Sequence, residues 1–143
     1  ILINKASIDR GGAMPHFQID YSPNLETRLD MAGLCLAIRD VAVETGVFPA
    51  AGIRIRATPC AHVVMADGNP DHAFLDLSVR LRGGRTLEVR KAATATIFAA
   101  IEAYCADVMA SSSFMLSMEM RDIDPELSPK ASSIRNYLPG EMQ

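Results

Sequence analysis

Apolar and polar residues alternate over Phe17, Gln18, Ile19, Asp20 and Tyr21, which is the period of a half-buried strand. Ser22-Pro23-Asn24 interrupts the run, and Asn24 has a helix-capping side chain. Met31, Leu34, Ile38 and Val41 then recur at helical spacing, so a helix is expected near 25–45, with Gly46 as its stop. After the loop Phe48-Pro49-Ala50-Ala51-Gly52 the two-residue period returns over 53–60, with Ile53 and Ile55 on one face and Arg54 and Arg56 on the other. Turn residues fill Ala66 to Asp71. A long strand is expected over 72–82, with Ala73, Leu75, Leu77, Val79 and Leu81 on its apolar face. Gly83-Gly84-Arg85 turns the chain, and Thr86 can cap a second helix with Glu88 in its first turn. Thr94, Ile97, Phe98, Ile101, Cys105 and Val108 form the stripe of that helix, near 87–110. Alternation returns once more over 114–121, and the tail from Asp122 reads as loop, with a short element at 132–138.

The order is β-α-β twice. A crossover helix favours parallel pairing within each half, in the right-handed sense. The expected fold is α+β: a four-stranded sheet with two helices on one face. The other sheet face and the sheet edges need cover, and self-association supplies it.

Composition narrows the function classes. The chain has 143 residues, the size of one domain, with 49% apolar and 22% charged residues and a net charge of −3. It carries no basic field for nucleic acid. No apolar run approaches the ~20 residues of a membrane span. Cys35, Cys60 and Cys105 are odd in number and lack metal-ligand spacing, which points to a reducing cytoplasm. His62 and His72 are too scattered for a metal site, and Met115, Met118 and Met120 read as packing residues.

The dipeptide Met14-Pro15 stands between an unpatterned segment and the first strand. Residues 1–13 lack the regions of a signal peptide and read as an upstream extension or an expression scar, with the domain over 14–143. Initiator methionine is normally removed before a small residue such as proline. A chain beginning at Pro15 would carry a free secondary amine, a potential general base, whereas an internal Pro15 is an amide without basicity. Arginine is the other candidate chemistry. Arg54 and Arg56 share a strand face, and Arg85 stands at a helix start where backbone N–H groups also favour anions. Phe48 is a candidate apolar wall, and His16 points away from the side of Pro15 and Phe17.

Met14-Pro15-His16-Phe17, Gly46 to Arg54 (GVFPAAGIR), Met65 to Gly68 (MADG), and Gly84 to Glu88 (GRTLE) with Arg90 together resemble the 5-carboxymethyl-2-hydroxymuconate isomerase family of the tautomerase superfamily. The resemblance runs over roughly residues 14–138. It implies a homotrimer, an amino-terminal proline as catalyst, no cofactor and a small carboxylated dienol as substrate. On that basis Pro15 and Arg54 are the expected catalytic residues and Arg85 an expected substrate-binding one. Arg56, sharing the strand face of Arg54, and Phe48, as an apolar wall, are read from the residues as further substrate-binding positions. Ala57-Thr58-Pro59-Cys60 departs from the family by placing a proline where the strand should continue. The runner-up readings are a catalytically silent trimeric small-molecule binding protein and a tautomerase-fold hydratase or dehalogenase.

Overall fold

The computed structural model describes Ile8 and residues 14–142. The expectation of an extension over 1–13 therefore lies outside the described residues, Ile8 apart. The elements are β1 (His16–Tyr21), α1 (Met31–Glu44), β2 (Arg54–Pro59), β3 (Ala73–Arg82), α2 (Leu87–Tyr104), α3 (Ala106–Ser111) and β4 (Phe114–Ile123), with 3-10 turns between and after them. The sheet order is β2-β1-β3-β4. Pairing is parallel for β1–β2 and for β3–β4, and antiparallel where β1 meets β3. The two β-α-β halves and their internal parallel pairing match the order of elements; the structure adds that the halves join antiparallel along their first strands.

The helices cover one sheet face. Phe17, Ile19, Leu75, Leu77 and Leu81 from the sheet, Leu34 and Ile38 from α1, and Ile97 and Ile101 from α2 are 0–1% exposed. Each such side chain contributes about 1.5–3 kcal/mol by leaving water, so this layer dominates stability. The second helix enters as expected: the Thr86 hydroxyl accepts from the Val89 N–H at 3.2 Å. It breaks at Cys105, and α3 continues to Ser111. Met118 and Met120 pack partly buried against the core, while Met115 is 61% exposed.

The first helix starts later than its pattern suggested. Its cap is Asp30, whose carboxylate accepts from the Gly33 N–H at 3.0 Å, while residues 23–25 form a separate 3-10 turn. Asn24 is engaged elsewhere. Its amide donates to the carbonyls of His72 at 2.9 Å and Pro70 at 3.3 Å and ties this turn to the loop ahead of β3. Asn24 therefore does not cap the helix as its side chain suggested: its partners lie 46 and 48 residues away and leave no local signal.

Pro59 closes β2 without breaking it. Arg54 N–H donates to Pro15 O, and Cys60 N–H donates to Tyr21 O, so the even-numbered residues of β2 turn their N–H groups toward β1. The nitrogen of Pro59 faces the open edge instead, where a missing donor costs no ladder bond.

Candidate active site

Pro15 is the residue before β1, and its side chain is fully buried. Its carbonyl accepts from the Arg54 N–H at 3.2 Å, the first bond of the β1–β2 ladder. The ladder thus fixes the backbones of the two expected catalytic residues side by side. Their side chains start on different sides. Pro15 has the parity of Phe17 and Ile19, which face the helices, whereas Arg54 is exposed on the open face in register with His16. With Met14 attached, the Pro15 nitrogen is an amide.

Arg54 begins a row of cations across the open face. The register places His16 opposite Arg54, Arg80 opposite His16, and Arg121 opposite Arg80. Arg56 follows two residues after Arg54, and its Nη1 lies 3.4 Å from His16 Nδ1. Arginine can only donate, so Nδ1 accepts and the imidazole proton stands on Nε2. Burial, and then Arg54, Arg80 and Arg56, push the His16 pKa down to about 4. His16 is therefore neutral at pH 7. Burial, and then Arg56 and Arg80, also lower the pKa of Arg54, which keeps its charge at any ordinary pH because arginine starts so high. Like charges placed directly opposite one another destabilise a sheet. A row of this kind is stabilised by anions arriving on it.

Arg85 has a different setting. Its Nη2 donates to Val47 O at 2.7 Å and its Nη1 to Arg82 O at 3.5 Å. The Gly84 turn before it has φ 118°, a conformation that side-chain-bearing residues rarely adopt. Arg85 thus pins the loop after α1 to the start of α2, and among the described residues no hydrogen bond joins it to Arg54 or Arg56. Phe48, in that same loop, is 3% exposed and packs edge-on against Phe17, with ring centroids 5.1 Å apart. It braces the strand that follows Pro15 from within the core. His72 is a structural clamp, with Nε2 2.7 Å from Asp67 Oδ1 and Nδ1 2.6 Å from Ser113 Oγ.

The tail supplies residues that the sequence pattern did not single out. Lys130, Ala131, Ser132 and Ile134 fold over Ala51, Gly52 and Arg54 and enclose a cavity of about 130 Å³. Pro125, Pro129 and Pro139 interrupt the tail from Asp122 and give it no period, so only the tertiary fold brings Lys130 and Ser132 to Arg54.

The comparisons with known proteins agree with one another. The profile of the family described as 5-carboxymethyl-2-hydroxymuconate isomerase matches residues 15–138. A 5-carboxymethyl-2-hydroxymuconate Delta-isomerase of Escherichia coli is 34% identical over 121 residues, covering 85% of this chain and 96% of that protein. A crystal structure of a 5-carboxymethyl-2-hydroxymuconate delta-isomerase superposes with a TM-score of 0.82 at 28% identity, covering 89% of this chain and 95% of the other. The crystal structure of a 5-carboxymethyl-2-hydroxymuconate isomerase from Deinococcus radiodurans R1 gives 0.79 at 28% identity, covering 89% and 96%.

Proposed function

The chain belongs to the 5-carboxymethyl-2-hydroxymuconate isomerase family, and from that premise we propose that it converts a carboxylated 2-hydroxymuconate-type dienol to its conjugated ketone, with Pro15 as the general base once Pro15 is the amino terminus. The observation that carries this reading is the pairing of a fully buried Pro15 with Arg54 at the head of a cation row.

The reaction moves one proton. The enol O–H proton passes to the Pro15 nitrogen, the C–O bond becomes a carbonyl, and the diene electrons shift outward. The prolinium then returns the proton to the distant carbon. One group performs both transfers, so its pKa should lie near the working pH. A secondary amine in water is too basic. Burial among apolar side chains disfavours its ammonium form, and nearby guanidinium groups do the same. Arg54 holds a substrate carboxylate through a charge-assisted fork and stabilises negative charge that develops on the oxygen. Arg56 extends that binding surface beside His16. Arg85 and Phe48 act by holding the loop 47–52 and the floor under β1.

The reading includes a homotrimer. Among the described residues the outer edges of β2 and β4 have no strand partner, and Leu127, Ile134 and Tyr137 are 52–80% exposed in the single chain. Light scattering should give three times the chain mass; a stable monomer at micromolar concentration would remove this part. Among the described residues no helix is long and apolar enough to cross a membrane.

The test of function is an ultraviolet assay with hydroxymuconates on protein beginning at Pro15. Loss of the dienol chromophore, with gain of the conjugated ketone, is expected. Tight binding without turnover would identify a silent binding protein, and uptake of water into product would identify a hydratase.

A further inference from the structure

The tail cavity beside Arg54 is too small for a whole substrate. Ligand pockets usually span roughly 300–1,000 Å³, against about 130 Å³ here. It is still well above the ~10–15 Å³ that a single water requires. Its lining combines two cations, Arg54 and Lys130, with the aliphatic surface of Ala51, Gly52 and Ile134 and one hydroxyl, Ser132. That lining suits a short carbon arm ending in a carboxylate.

The tail is positioned by specific bonds. Arg82 Nη2 donates to Pro125 O at 3.4 Å, which attaches the start of the tail to the end of β3. The Ser128 hydroxyl donates to Asp124 O at 2.6 Å and tightens the turn that follows. Ser132 Oγ accepts from the Ile134 N–H at 3.2 Å, just before the 3-10 turn Ile134–Tyr137. The oxygen of Ser132 is thereby oriented, and a hydroxyl that accepts in this way can also donate its hydrogen to an incoming acceptor.

We propose that Lys130 and Ser132, together with Arg54, form a subsite for the carboxylate arm of the substrate remote from the migrating proton, so that the tail selects dienols bearing an additional carboxylate. The inference rests on the isomerase reading for its substrate. Arg54 is shared between the reacting end and this arm, which places the arm on the β2 side of Pro15. Lys130 offers a compact charge on a flexible stem and is suited to holding one carboxylate without fixing its plane.

Two measurements test it. On protein beginning at Pro15, Lys130→Met should lower kcat/KM for 5-carboxymethyl-2-hydroxymuconate at least ~10-fold more than for 2-hydroxymuconate, through KM rather than kcat, as loss of uniform binding does. Lys130→Arg should restore most of the preference. Equal losses on both substrates, or none on either, would overturn the subsite. On the full chain, calorimetry with tricarballylate reads the subsite without turnover. Binding at least ~10-fold weaker in Lys130→Met supports it even if neither hydroxymuconate is turned over, an outcome that would sink the isomerase reading alone. Equal tricarballylate binding in the variant and the parent overturns the subsite whatever the enzyme does.

Discussion

Arg54→Ala should lower kcat/KM on a hydroxymuconate dicarboxylate by about 2–5 kcal/mol, the range for losing one partner of a desolvated charge pair. That is roughly 30- to 5,000-fold in rate. The magnitude is informative because Arg54 is exposed in the single chain. An exposed ion pair contributes only about 0–1 kcal/mol. A loss in the higher range therefore requires that substrate and a neighbouring subunit exclude water from Arg54. Folding should be little affected, within about 0.5 kcal/mol, since the side chain lies outside the core. The ladder bond to Pro15 uses the Arg54 backbone N–H and survives the change. Removing one charge also relieves its repulsion with Arg56 and Arg80, which lower the Arg54 pKa. Steady-state kinetics beside thermal unfolding separates the two effects. Unchanged turnover would remove Arg54 from the site.

The parts of this molecule legible in its sequence are those set by short-range pattern. The alternating apolar face of Ala73, Leu75, Leu77, Val79 and Leu81 gave the central strand, because a two-residue period has one reading when one face is buried. The pairing of Arg54 with Arg56 on one face followed from the same rule. The start of α1 did not. Asn24 and Asp30 are both capable caps, and the choice between them is made by carbonyls at Pro70 and His72. Pro59 looked like a disruption because strand-edge parity is invisible until the ladder is known. The tail was missed for a similar reason. Lys130 and Ser132 acquire their meaning from Arg54, which lies 76 and 78 positions earlier in the chain, and nothing in their own neighbourhood announces it.

The largest expected effect concerns Met14-Pro15. While residue 14 is attached, the Pro15 nitrogen is an amide and takes no proton. A positioned general base contributes typically 10²–10⁴ in rate. Protein beginning at Pro15 should therefore exceed the 143-residue chain by about that factor. Its activity should rise with pH through the pKa of a depressed amine, because the free base is the active form and deprotonation supplies it. The 143-residue chain should lack that limb, since its Pro15 has nothing to titrate. Arg54 and general proximity remain in both forms, so the longer chain retains a residual rate. The comparison must therefore be quantitative. The direct measurement is kcat/KM for the two forms on the same hydroxymuconate, each with its mass confirmed. A difference of about 10²–10⁴ in favour of the Pro15 terminus is predicted, and equal values would show that Pro15 is not the base.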